Sequence, residues 1–308
     1  MDYSSEVLKN FLNLYWIRPE TAFWRTLDVL QMKSIKFKKP ILDIGCGDGS
    51  FSFTNFGGRV DSSFDVYRTI KDTSGFFSGV DIHDQNKPVK PKIIQKVKKQ
   101  IDVGLDWKEN LLAKANQFKM YQKLIQHDSN EKLPFDDNTF ETIFSNTFYW
   151  LNDIESVLKE SRRICSRSGK IIIFVPDKKF KDSLIYNHFL KEGHIWAKIL
   201  DRGIFNNIKH CYSLSKWKSI FSKSGLEVDY HSNYATENLT KIWNIGMRPY
   251  SPFIIEMANK LKLQDRTKIK NRVISELFPI LRSYLEFEMS KVGKNNCFHM
   301  FVLSNKKN

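Results

Sequence analysis

Three glycines spaced two apart, Gly45, Gly47 and Gly49, follow the run Ile41-Leu-Asp-Ile44. Glycine has no Cβ and takes positive φ readily, so such a turn lets a ligand lie against the backbone. Ile41, Leu42 and Ile44 predict a short buried strand, and Asp43 places a carboxylate just before the bend. A strand that breaks into a tight turn at the carboxyl end of a parallel sheet is where open α/β folds bind nucleosides. The chemistry expected is therefore capture of a nucleoside-bearing cofactor. A dinucleotide fingerprint would need a third glycine where this chain has Ser50, so the nicotinamide reading lacks a required element.

Further polar groups recur downstream. Val103-Gly-Leu-Asp106-Trp107 reads as a second strand ending in an acid, and Glu109 to Asn116 as the helix after it. Gln126-His-Asp128-Ser129 and then Leu133-Pro-Phe-Asp-Asp137 read as a polar loop. Phe140 to Asn146 reads as another strand, with Tyr149-Trp150 just beyond. In this order and spacing, the segments resemble the motifs of class I S-adenosylmethionine (SAM)-dependent methyltransferases. The likeness is good over residues 40–50 and 103–176, looser over the remaining strands, and absent from the insertions.

The resemblance implies SAM as cofactor and assigns roles. Gly45, Cys46 and Gly47 would lie against its methionyl part, and Asp43 would order the loop. Asp106 would hold the ribose hydroxyls, and Trp107 would pack on the adenine. Asp128 would accept from the adenine amino group, with Ser129 nearby, and Asn146 would sit by the cofactor's ammonium. Tyr149 and Trp150 would face the transferring methyl, where aromatic faces stabilise a desolvated cation by roughly 0.5 to 2 kcal/mol. Trp150 reads equally as a packing anchor, and Cys46 as a small residue that merely fits its turn.

These residues must be positioned by a scaffold. The expected fold is α/β: a doubly wound seven-stranded sheet, mostly parallel with an antiparallel last strand, with helical insertions forming a cover. Residues 1–34 carry two helical apolar patterns, broken at Arg18-Pro19, and read as an N-terminal helical cap. Tyr15, Trp16 and Arg18 read either as part of a lid or as packing. Residues 35–308 read as the core, with insertions at about 52–100, 178–212 and 236–292.

Within the first insertion, Ile93, Ile94, Val97 and Ile101 predict a helix with a basic opposite face. Gly79-Val-Asp81-Ile-His83 imitates the second strand, but no suitable helix follows it. Gly169 reads as the left-handed residue ending a helix begun near Ile154. Ile171 to Val175 predicts the fifth strand, residues 180–202 helix, and Leu226 to Tyr230 the sixth strand. Trp243 to Pro252 reads as a rigid loop, and Ile269, Val273, Leu277, Leu281 and Leu285 as one face of a long helix interrupted by Pro279. Phe298 to Leu303 predicts the antiparallel strand.

Composition bounds the function. The hydrophobic fraction of 41% allows a sizeable core, and no run approaches a membrane span. The first residues lack a signal-peptide pattern, so a cytoplasmic location is expected. The four cysteines (Cys46, Cys165, Cys211, Cys297) form no C-x-x-C pair, which argues against a zinc site or disulfide framework. No metal is expected. The net charge of +15 invites a nucleic-acid reading, yet lysines scattered through most segments also arise from coding bias.

Methyl transfer from a sulfonium needs mainly alignment and exclusion of water, so no catalytic residue follows from spacing. His127, His194, His210 and His231 are the candidate bases, if the acceptor needs one. The expected acceptor is a small-molecule or carrier-linked metabolite. An RNA acceptor, favoured by charge alone, and a non-catalytic partner-binding protein are the alternatives.

Overall fold

The computed structural model describes residues 2–70, 72–78, 87–186, 201 and 204–306 of the chain. Two helices lead, α1 (Tyr3–Tyr15) and α2 (Pro19–Gln31), followed by β1 (Ile41–Ile44) and a short α3 (Ser50–Asn55). Next come β2 (Arg59–Val60), β3 (Ile93–Gln95), β4 (Ile101–Asp106), α4 (Glu109–Ala115), β5 (Tyr121–Gln126) and β6 (Phe140–Ser145). The chain continues through α5 (Ile154–Ile164), β7 (Cys165–Pro176), α6 (Lys178–Asp182), α7 (Ile204–Asn207), α8 (Leu214–Lys223) and β8 (Leu226–Tyr234). It closes with α9 (Glu237–Ile245), α10 (Ser251–Lys260), α11 (Leu263–Met289) and β9 (Phe298–Asn305).

Seven strands pair in the order β5-β4-β1-β6-β7-β9-β8. β9 runs antiparallel to both neighbours, and the other pairings are parallel. The fold expected from the sequence is the fold observed. From β1 the chain builds outward to β4 and β5 on one side, then returns to β6 on the other. This reversal opens a crevice at the carboxyl ends of β1, β4 and β6, where ligands bind in open α/β sheets. The glycine turn leaves β1 at that point.

Side chains alternate across the sheet with the pleat. Ile171, Ile173, Val175, Phe301 and Leu303 bury one face against Val157 and Leu158 of α5 and Trp217 and Phe221 of α8. Ile172, Phe174, Met300 and Val302 bury the other among Phe11, Leu12, Phe23 and Leu27 of α1 and α2. The leading helices are thus part of the sheet's own core layer. They also meet the rest of the cover, since Ile255 and Ala258 of α10 and Ile274 and Leu285 of α11 join the same cluster.

Several sequence expectations are corrected. Residues 93–95 are a strand paired antiparallel with β2, and Ile101 opens β4, so the basic helix does not form. The β-branched Ile93 and Ile94 serve a strand equally well. The insertion starts later than residue 52, because Ser50–Asn55 is the first helix of the core. Helix α5 ends at Ile164, and Gly169 lies inside β7 without positive φ. A Cβ there would lie 2.6 Å from Cys165 Sγ and 2.9 Å from the Phe140 carbonyl oxygen, so close packing explains the glycine. Trp243-Asn-Ile245 ends helix α9, which shortens the expected loop.

Helix α11 contains Pro279 as read, but its buried positions include Arg266, Lys270, Ile274, Leu285 and Glu288. Ile269 is exposed, but Leu285 is buried and Val273 and Leu281 pack against the core, so the expected stripe holds along the later turns of the helix. The strand-like segment 79–83, His194 and much of 180–202 lie outside the described residues.

Candidate functional site

Main-chain hydrogen bonds fix the glycine turn. The Gly45 and Cys46 amides donate to the Leu105 carbonyl at 2.8 and 3.0 Å, tying the bend to β4. Gly45, Gly47 and Gly49 all have positive φ, at 71°, 56° and 78°. Their surroundings differ. A Cβ on Gly45 would lie 2.2 Å from Thr147 Oγ1, so that glycine admits Thr147 from the end of β6. A Cβ on Gly47 would meet nothing within 4 Å, so Gly47 borders open space.

Asp106 closes the cradle from β4. Its Oδ2 accepts from the Gly47 amide at 2.9 Å, and its Oδ1 accepts from the Lys108 amide at 3.0 Å. Burial pushes this carboxyl up, while the Lys108 and Gly47 amides pull it back. Trp107 beside it is 64% exposed and leaves a broad aromatic face to solvent. Asp43 is buried, and its Oδ2 accepts from Ser52 Oγ at 2.6 Å and Tyr121 Oη at 2.7 Å. Burial raises it to about 6, against those two hydrogen bonds. Asp43 therefore ties the turn to α3 and β5. Cys46 is buried, and desolvation holds its thiol well above the usual range.

The loop after β5 divides in two. Asp128 is exposed, and its Oδ1 accepts from the Asn130 amide and side chain at 2.9 and 2.8 Å. Ser129 is buried beside it. Leu133-Pro-Phe-Asp-Asp137, by contrast, is clasped by Arg163 of α5. That guanidinium donates to the Leu133 and Phe135 carbonyls and to Asp137 and Glu160. This part of the motif is structural.

Beyond β6, Asn146 and Thr147 lead into a 3-10 turn carrying Tyr149 and Trp150. Tyr149 meets Phe298 edge-on at 5.4 Å and Trp150 at 5.6 Å. Burial raises its phenol to about 12. Tyr15 of α1 reaches the turn directly, its Oη lying 2.6 Å from Ser50 Oγ. Ser50 Oγ donates in turn to Asp48 Oδ1 at 2.6 Å. Trp16 and Arg18 face elsewhere: Trp16 lies under Arg266, and Arg18 pairs with Glu20.

Two residues that sequence reasoning passed over join this cluster. The Arg25 guanidinium of α2 lies 5.1 Å from the Tyr15 ring and 5.6 Å from the Phe51 ring. Its Nε is buried with no hydrogen-bond partner among the described residues. Asp48, Asp28 and Tyr149 act on it electrostatically. Asp28, one helical turn on, is buried and accepts from Tyr234 Oη at 2.6 Å. Desolvation raises its carboxyl to about 7. The available signal was an ion pair of types set three apart within the apolar run from Phe23 to Leu30.

The candidate bases are elsewhere. His210 bonds to Tyr212 Oη and the Asn152 carbonyl. His231 bonds to His299, which bonds to Asp177. His127 donates its amide to the Asp106 carbonyl, and its Nε2 is buried without a partner among the described residues. Among the described residues no cluster of histidine, cysteine or acids forms a metal site.

Residues 93–173, from β3 into β7 and including Asp106, match the family model of a methyltransferase domain. The match covers 81 of the chain's 308 residues. Solved structures of similar shape include a SAM-dependent methyltransferase from Thermotoga maritima, at 13% identity and a TM-score of 0.49 over 99% of this chain and 100% of that one. Another, from Mesorhizobium loti, aligns at 13% identity and a TM-score of 0.46 over 91% of this chain and 96% of that one. No curated protein matches the sequence. The cradle at Gly47 and Asp106 suits a nucleoside: Gly47 borders open space, and the carboxylate is already oriented by two amides.

Proposed function

We propose that this protein passes a methyl group from SAM to a small-molecule or carrier-linked acceptor by in-line displacement. The observation that carries this reading is the Asp106 carboxylate, oriented by the Gly47 and Lys108 amides beside an open Gly47. Asp106 would bind the ribose hydroxyls, Trp107 the adenine face, and Asp128 with Ser129 the adenine edge. Asn146 would lie by the ammonium. Arg25, whose buried Nε has no hydrogen-bond partner among the described residues, would take the carboxylate of the methionyl end.

Bound SAM supplies an already activated methyl on sulfur, so the protein's share is alignment and dryness. Proximity and orientation can account for about 7 to 11 kcal/mol of such a barrier. Tyr15, Tyr149 and Tyr234 lie around Arg25 and Asp28, and their phenols are held protonated by burial. Asp28, buried and bonded to Tyr234 Oη, holds that tyrosine in place beside Arg25.

The RNA alternative is favoured by charge alone. A cleft with Lys33, Lys36, Lys38, Lys98 and Lys99 lies just before β1 and β4, at the sheet edge opposite the glycine turn. The deciding experiment incubates the protein and methyl-labelled SAM separately with a metabolite extract and with total RNA, followed by mass spectrometry. Label in small molecules supports the proposal. Label in RNA alone replaces it.

A further inference from the structure

Helix α10 is apolar on two sides, and among the described residues only one of them is covered. Ile255 and Ala258 enter the core cluster. Asn259 Nδ2 anchors the same side by donating to the Tyr67 and Ile70 carbonyls at 3.0 and 2.7 Å. The opposite side presents Phe253, Met257 and Leu261, four residues apart and therefore stacked along one helix face. They are 63%, 54% and 40% exposed, and Tyr250 at the helix start is 64% exposed. Globular helices normally turn polar residues to water on that side. A contiguous row of large exposed apolar side chains marks an interaction site.

The charges around the row indicate its occupant. Lys260 and Lys262 are exposed at its end, beside Leu261 and Leu263. Glu256 is the one acid between residues 250 and 262, and Thr73 already donates to it. An apolar helix face with an aromatic residue at one end and lysines at the other matches helices that lie in a lipid interface, where lysine stems reach the headgroups. No helix among the described residues is long and apolar enough to cross a membrane, so the attachment would be peripheral.

We infer that α10 docks this protein onto an anionic lipid bilayer, with Phe253, Met257 and Leu261 entering the interface and Lys260 and Lys262 on the headgroups. The inference is independent of the methyl acceptor. It does carry a consequence for the enzyme. Tyr67, whose carbonyl anchors α10, lies ring to ring with Tyr15 at 6.4 Å. Docking would therefore bring the bilayer to the segment that packs on Tyr15.

The test is co-sedimentation of the full chain with vesicles of phosphatidylglycerol and phosphatidylcholine, or of phosphatidylcholine alone. Binding to the anionic vesicles that weakens as salt rises is expected. Phe253→Ser with Met257→Ser should lower the partition coefficient about tenfold or more, given the apolar area withdrawn from lipid. Lys260→Glu with Lys262→Glu should remove the preference for anionic vesicles. Both variants should keep the wild-type circular dichroism spectrum. A wild-type protein that stays in the supernatant with every vesicle overturns the inference. So does equal vesicle binding by the serine variant, or a wild-type dimer in light scattering that the serine variant abolishes, which would seat a second copy on the row.

Discussion

Two buried carboxylates, Asp106 in the cradle and Asp65 in the cover, are placed by the same chain for opposite ends. Asp65 is saturated by protein: Arg266 donates to both its oxygens at 2.7 and 3.0 Å, and the Tyr67 amide donates at 3.0 Å. Lys270 lies nearby, donating to the Phe64 carbonyl at 2.6 Å, and burial lowers its ammonium to about 8. These bonds join the first insertion to α11, residues 201 apart. Asp106 instead receives two amides and faces a turn with empty space at Gly47. A buried acid matched by a guanidinium is a fastener. One held by backbone amides beside a gap is a receptor.

The largest effect should come from breaking the fastener. Asp65→Ala strands Arg266 and Lys270 without their counter-charge, a change that costs about 3 to 5 kcal/mol in buried pairs. Urea denaturation should show that loss, and an unchanged midpoint would mean the two insertions are held by something else. Arg25→Met sharpens the receptor side. It should weaken SAM by about 1.5 to 3 kcal/mol, the worth of a hydrogen bond to a charged group. Methylthioadenosine, which lacks the amino-acid end, should bind the variant and wild type alike. Equal losses for both ligands would mean that Arg25 serves the nucleoside or the fold.

The smallest effect separates Asp28 from both. Its folded pKa of about 7 stands above the ordinary 3.8, so the native state holds this proton more tightly than the unfolded chain. Stability contributed by this group is then present at low pH and lost as pH rises from about 4 to 7. Asp28→Asn removes that loss. The stability of the variant relative to wild type should climb with pH by up to ~1.4 kcal/mol per unit across that window. A flat difference would show that Asp28 ionises as freely as in water.

The cradle was legible in the sequence because its parts are local. Glycine spacing, a strand-end acid and an aromatic neighbour each sit within a few residues, and the sheet brings them together by simple strand order. The sheet itself was legible from apolar runs such as Ile171 to Val175. The cover was not, because its logic is long-range. Arg266 and Lys270 are polar positions on α11 that fall outside the expected apolar stripe, yet both are buried. Only the partner Asp65, far away in sequence, makes them interior. The same holds for Arg25 and Asp28, whose meaning depends on Tyr15, Asp48 and Tyr234 from other segments. At Gly169 the error had another cause: a crowded strand and a helix end both select glycine.

The central claim is that Asp106 is the acid that grips a nucleoside sulfonium above the glycine turn. Isothermal titration of SAM into the wild-type protein and Asp106→Ala tests it most directly. Saturable binding to wild type, weaker in the variant by about 1 to 3 kcal/mol, is the predicted result. Identical isotherms for the two proteins, or no binding of SAM to the wild type, would contradict it.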